Sequence, residues 1–417
     1  LMTIKGILGG LIFYLLTVVT ICVVSWLVQS GIKSLYPHYS NFYSHNFYNV
    51  VCYFYLFAAL TGGLFSVLYF LIFPKLKTEN LQAGVLTLFI GLMLVLYLHL
   101  PTAAYLLIFP LFFILLAGII VNIFNFSEHN TYPGYALLYV LAVLPAIGLY
   151  LPMVKMLFVA FSLNMIFTGI MVLLFMMGFL IPQLKAAFQL NRFALPVLAL
   201  IIAIVAFVWG HLTSKPSEKQ PLQTSIIYCL DADQQKALWL SRHLQTDSWN
   251  QQFFTTFRTE SIADIYPGSK RHYLKSDAPV LPLPSPEAKI LEDGVENHKR
   301  SLHLNLTSAR QANSMMLFFH KDSRITQVRI DGRQVDYQRL YTAKNSDYRS
   351  MIYRAVPPEG IDLVIQYQAG QLLQLVVVES KLGLPLIPGI EYKPMPAFII
   401  PDTDYSHMSL LRKTFEF

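Results

Sequence analysis

The chain has 417 residues, enough for two or three domains, and 55% of them are hydrophobic while only 13% are charged. An ordinary soluble domain carries about 25% charged residues, so a wholly soluble protein is excluded. The net charge of +7 comes from singly spaced Lys and Arg with no basic block, which argues against nucleic acid as a partner.

Apolar runs dominate as far as Leu212. A span needs roughly 20 apolar residues to cross about 30 Å of hydrocarbon. Seven are expected, at about 6–28, 48–73, 82–99, 102–125, 134–151, 153–181 and 193–212. Pro101 in LHLPTA and Pro152 in LYLPM read as tight hairpins between neighbouring spans. The chain opens on Leu1 without a cleavable-signal layout, and is expected to be a piece of something longer. Lys5, Lys75, Lys77, Lys185 and Arg192 fall on one side of seven spans, Lys33 and Lys155 on the other. By the positive-inside rule the start lies in the cytoplasm and the C-terminal half outside it, periplasmic, extracellular or lumenal. Lys215 and Lys219, just past the last span, work against that bias.

A transport pathway would place ionisable or polar groups mid-span. His99, Asn122, Asn125, Lys155 and Asn164 are the candidates, and most fall near span ends, where interfacial hydration satisfies them. No internal repeat is evident. A structural anchor is therefore favoured over a conduit. The Tyr- and Phe-rich loop at 34–49 suits an aromatic belt, with His38 and His45 as interfacial polar residues.

The domains read as a multi-span region over 1–213, a polar linker over 214–222 and an extracytoplasmic β-rich domain over 223–417. In the last, SIIYCLDA, KALWLSR, SLHLNLTS, SMMLFFH, ITQVRIDG, IDLVIQY and LLQLVVVES read as strands. Asp331-Gly332 closes a turn, and Pro-rich connectors over 278–289 and 383–389 separate the blocks. The expected fold is an antiparallel β-sandwich with little helix. Asn305-Leu306-Thr307 is a glycosylation sequon, relevant only in a eukaryotic lumen.

Two acidic groups invite chemistry. Asp231 and Asp233 are spaced i, i+2, so on a strand they share a face and could hold a divalent cation. Beside the polar QQK they also suit an Asx turn between strands, which is the favoured reading. Asp402, Asp404 and His407 carry zinc-type donors in a Pro-rich C-terminal tail, where capping or ion pairing is favoured. Cys22, Cys52 and Cys229 show no metal spacing. No His-Glu-x-x-His, Gly-x-Ser-x-Gly or phosphate loop is present. His243, His272, His298, His303 and His320 are scattered, with His303 and Asn305 on the solvent face of a strand. Trp239, Trp249 and the aromatics of 253–257 are expected in a core before a contact surface. No catalytic, cofactor or metal residue is assigned.

Several stretches together resemble one family. TSIIYCLDADQQKALWLS, NFYSHNFYN, KTENLQAGVL, LHLPTAAYLLIFPLFFILLAG, APVLPLPSPEAKIL and DTDYSHMSLLRKTFEF are similar to segments of large membrane-bound zinc metallopeptidases. These belong to the aminopeptidase-Y-like branch, of the endoplasmic-reticulum metallopeptidase and vacuolar membrane protease type. The likeness runs over essentially all of the chain. It implies a peptidase domain with two zinc ions, then a multi-span region, then an outward β domain. No residue here matches the family's zinc ligands or general base, so none is carried over. The expected role is the membrane anchor and outward β domain of such an exopeptidase, without its catalytic domain. Its partners would be the lipid bilayer and a peptidase domain in cis or encoded apart, with peptides as substrates of the intact enzyme. The rival expectation is a multi-span transport or ligand-binding protein.

Overall fold

The computed structural model describes residues 3–42, 48–72, 74–124, 132–344, 346–402 and 406–417, without the side chains of 122 and 132–136. The chain forms two compact units, Leu1–Lys215 and Pro216–Phe417.

The first unit is helical: α1 Ile4–Leu35, α2 Val50–Ile72, α3 Thr78–His99, α4 Pro101–Ile123, α5 Tyr132–Phe161, α6 Ile166–Phe179, α7 Ile181–Asn191 and α8 Ala194–Leu212. Six of these helices are long and apolar enough to cross a membrane, and α6 with α7, bent by 72°, would make a seventh. Leu, Ile, Val and Phe side chains lie exposed along their outer faces, as a hydrocarbon solvent permits.

Without a hydrophobic force between helices in lipid, close backbone approach and buried hydrogen bonds must hold the bundle. Gly84 of α3 meets α1 so closely that a Cβ there would stand 2.4 Å from the Ile7 carbonyl oxygen; one at Gly10 would stand 2.7 Å from that of Asn80. Tyr14 donates to the Leu174 carbonyl at 2.8 Å and Tyr150 to that of Leu106 at 2.6 Å.

Contacts sort the helix ends into two sets. At one end the Thr3 amide donates to Asn80, Lys185 of α7 pairs with Glu79 at 3.2 Å, and Arg192 lies over the Phe70 ring. At the other, Tyr36 bonds His211, Asn49 donates to the Gly210 carbonyl, and Gln29 donates to the Leu163 carbonyl just before α6.

Two expectations are corrected here. Pro152 makes no hairpin: α5 runs through Pro145 and Pro152 to Phe161, because a lone Pro in an apolar helix forfeits one hydrogen bond and neighbouring helices shelter the gap. The break falls instead at Ser162, which has φ +48°, so the spans expected at 134–151 and 153–181 are redrawn. A second bend precedes Pro182 in the first turn of α7, a position Pro tolerates. At Pro101 the chain does break, between α3 and α4. Among the described residues of the aromatic loop, Tyr36, Tyr39 and Phe42 are buried and Tyr48 is exposed. Tyr39 packs against Tyr53. His45 and Asn125 lie outside the described residues.

The second unit holds β1 Leu222–Thr224, β2 Ile227–Asp231, β3 Lys236–Ser241, β4 Arg258–Ser261, β5 His272–Ala278, β6 Glu287–Glu296, β7 Lys299–Thr307 and β8 Ser314–His320. β9 Ile325–Ile330, β10 Arg333–Val335, β11 Tyr348–Arg354, β12 Ile361–Gln368, β13 Gln374–Leu382, β14 Ile399–Pro401 and β15 Met408–Glu416 follow. An 8-stranded sheet runs β11-β8-β13-β15-β2-β3-β5-β4, a 5-stranded sheet β10-β9-β12-β7-β6, and β1 pairs with β14. The larger sheet is mixed rather than purely antiparallel, since β15 lies parallel to β2. A parallel pair needs a long crossover, and here most of the unit is that crossover. The expected C-terminal tail is thus an interior strand from Met408 onward.

Period-two alternation distributes side chains between the two faces of the large sheet. Met315, Leu317, Phe319, Leu375 and Val377 meet Leu302, Leu304, Leu363 and Ile365 of the smaller sheet in one sandwich core. Tyr228, Leu230 and Trp239 pack farther along with Trp249, Phe253 and Phe254. The opposite face carries Ile227, Leu240, Phe318, Val378 and Leu410. It is roofed by loops rather than by a sheet.

Candidate functional site

Asp231 ends β2 and turns the chain. Its Oδ1 accepts the amides of Asp233 at 2.9 Å and Gln234 at 3.1 Å, an Asx turn. Gln235 completes it with φ +52°. Asp233 therefore sits in the turn, not on the strand. The two carboxylates do converge on a cation, but the cation is a guanidinium. Arg412 of β15 lies 3.2 Å from Asp231 Oδ2 and 2.8 Å from Asp233 Oδ2, and the Thr414 amide donates to Asp233 at 3.0 Å. Arg412 comes from 181 residues away. Nothing in the local sequence signals it.

The C-terminal acidic group is drawn apart. Asp402 pairs with His243 at 3.4 Å, both side chains buried. His407 stacks on Trp249 with 5.3 Å between ring centres. Its Nδ1 lies 2.8 Å from Ser406 Oγ, whose proton goes to the Thr224 carbonyl, so Nδ1 is the donor. Burial holds the His407 pKa below the usual histidine value, and the ring is neutral. Asp404 lies outside the described residues.

Among the described residues no three His, Cys, Asp or Glu side chains gather to hold a metal ion. Of the donor sets singled out in the sequence, Arg412 fills the first, and the described members of the second, Asp402 and His407, have different partners.

The remaining candidates take ordinary places. His99, Lys155 and Asn164 are exposed and converge on nothing. His303 reaches Asp362 across the β7–β12 pair on the outer face. Trp239, Trp249, Phe253 and Phe254 are core residues, and only Phe257 of that group is exposed. Cys229 is fully enclosed, and burial pushes its thiol up, away from the reactive thiolate.

Sequence reasoning missed a cavity of about 580 Å³ on the loop-roofed face of the large sheet. Its floor takes alternate residues from adjoining strands, among them Ile227, Leu240, Met316, Phe318, Val378 and Leu410. Two loops cover it, 262–271 and the one carrying Tyr341, Ala343, Lys344 and Ser346, and they touch where Gly268 meets Ser346. A Cβ on Gly268 would stand 2.2 Å from Ser346 Oγ, and its φ is +79°, so only glycine serves. Lys270, Arg271 and Lys344 line the same cavity. The continuous apolar run in SMMLFFH marked a strand with two apolar faces, a signal that both would be covered.

No protein family, curated protein or solved structure matches the chain. The fold and sites define a chain of apolar helices long enough to cross a membrane, followed by a β-rich unit whose larger sheet is mixed.

Proposed function

We propose that this chain is the membrane-anchoring and outward β-domain portion of a zinc-dependent exopeptidase of the aminopeptidase type, with the catalytic groups supplied by a peptidase domain in cis or on a separate chain. One observation carries the reading. Two of the stretches that carry the resemblance, 224–241 and 402–417, lie far apart in sequence yet meet as β2, β3 and β15, neighbours in the large sheet. There the Asp-x-Asp carboxylates hold the turn and Arg412. Those acidic residues then serve the fold, and peptide hydrolysis by a zinc-activated water belongs to the partner domain. The β unit stands outside the cytoplasm in this reading, on the side where the peptidase would work.

The test pairs two preparations. The purified 417-residue chain, supplied with zinc, is expected to release nothing from aminoacyl chromogenic peptides. Native membranes solubilised and captured through a C-terminal tag are expected to bring down a zinc-dependent aminopeptidase activity. Hydrolysis by the purified chain, or a captured complex without activity, would overturn the proposal.

A further inference from the structure

We infer that the cavity between the large sheet and its two roofing loops binds a single-chain amphiphile with an anionic head group. This inference goes beyond the anchoring role. The cavity's 580 Å³ falls within the roughly 300–1,000 Å³ of small-ligand sites. Its floor is a patch of methyl, thioether and aromatic groups set by the pairing of six strands. Met316 lies between Ile352 and Val378, and Met408 lies beside Ile227, which faces Leu240. Such a floor suits an acyl chain, which carries no polar group needing a partner.

Charge selects the head group. Lys270 and Arg271 come from one roofing loop and Lys344 from the other, just beside the Gly268–Ser346 contact that joins the loops. All three are exposed, and none is in an ion pair among the described residues. Among the described residues no Asp or Glu lines the cavity. Some basic groups of this unit do have carboxylate partners, as Lys275 on Asp264, Arg258 on Glu260 and Arg300 on Asp293; the three at the rim do not, among the described residues. Three uncompensated cations at the edge of an apolar chamber suit a carboxylate or phosphate.

A peptide fits less well. Its main chain needs a partner for every N–H and C=O, usually an open sheet edge. This cavity lies over a sheet face. Its serine hydroxyls are turned to the protein: Ser314 to Ser380, and Ser350 to the Tyr341 carbonyl.

The experiment uses the full chain in lipid nanodiscs with a photoreactive palmitate, and locates the label by peptide mass spectrometry. Label is expected on β8, β13 and the 262–271 loop, and removed by excess palmitate or lysophosphatidate. Competition by the first identifies a carboxylate head, by the second a phosphate head. Hexadecanol, with the same chain and no charge, is expected to compete poorly. Reversing the rim with Lys270→Glu, Arg271→Glu and Lys344→Glu changes only exposed residues and is expected to lower labelling about tenfold or more. Val378→Trp is expected to block the chamber. Label confined to the apolar helices, label in the β unit indifferent to rim charge, or displacement by an acidic aromatic peptide as readily as by palmitate would each overturn the inference.

Discussion

Glu379 on β13 is fully buried, with Arg310 at 3.1 Å and the Ser308 hydroxyl donating at 2.7 Å. Burial nonetheless raises its pKa above the ordinary glutamate value, so desolvation outweighs both partners. That is the usual balance of a buried pair: weak as net stabilisation, costly to break. Arg310→Ala should destabilise the chain by about 3–5 kcal/mol near neutral pH. The loss should shrink as acid protonates Glu379. Replacing both, Arg310→Met with Glu379→Leu, should recover most of it; thermal unfolding of the three proteins measures this. His407 works through pH in a different way. Its folded pKa is lowered, so the unfolded chain takes the proton first. Its contribution is present above about pH 6.5 and lost as pH falls through and below that value. His407→Asn, which tolerates the φ of +54° at this position, should show a smaller drop in Tm between pH 7 and 5 than the parent. Equal drops would sink that assignment. None of these pairs was legible in the sequence. VVVES reads as a strand, but its glutamate meets an arginine 69 positions away, and local pattern carries no such information.

At the scale of elements, the crossing of α1 and α3 is set by what is missing from Gly84 and Gly10. The atoms facing Gly84 are backbone, the Ile7 carbonyl and the Leu11 amide, and backbone cannot swing aside. Gly84→Leu should therefore cost more than the about 1–3 kcal/mol of ordinary overpacking, lowering the yield of folded protein and its Tm in detergent. Gly91→Ala, in the same helix with nothing within 4 Å, should be neutral or gain up to about 1 kcal/mol. Similar losses for both would show that helix flexibility, not the close crossing, is at issue. Element type was readable wherever one period dominated: long apolar runs for helices, and alternating or continuous apolar runs for β2, β3, β7, β8, β9, β12 and β13. The strands left unread explain themselves. β6 is a sheet edge, exposed along nearly all its length, and has no apolar face to announce it. β15 alternates only in its first half and then runs RKTFE, since Arg412 answers Asp231 and Asp233 rather than a core. Pro152 misled because proline signals a break in water, while an apolar helix in a bundle absorbs it.

For the molecule as a whole, the parity of crossings decides where the β unit lives, and α6 with α7 is the element that sets it. A re-entrant pair would begin and end at the same face of the bundle. The contacts run otherwise: the segment before α6 meets Gln29 in the last third of α1, where Tyr36 and His211 also pair. α7 ends beside Glu79 and Phe70, at the opposite set of helix ends, with its Phe188 stacked on Phe70. The bend of 72° would then be a kink within one crossing. Seven crossings put the 74–77 turn and Ser217 on opposite sides, and six put them on the same side. The lysines weigh the same way, since Lys185 and Arg192 join Lys75 and Lys77 on one face only if the pair crosses. Cysteines at Lys75 and Ser217, introduced singly after Cys22, Cys52 and Cys229 are replaced, should react with an impermeant maleimide from opposite sides of sealed vesicles. Modification of both from one side would leave six crossings, return the β unit to the cytoplasm, and remove the topological basis for an outward-facing peptidase anchor.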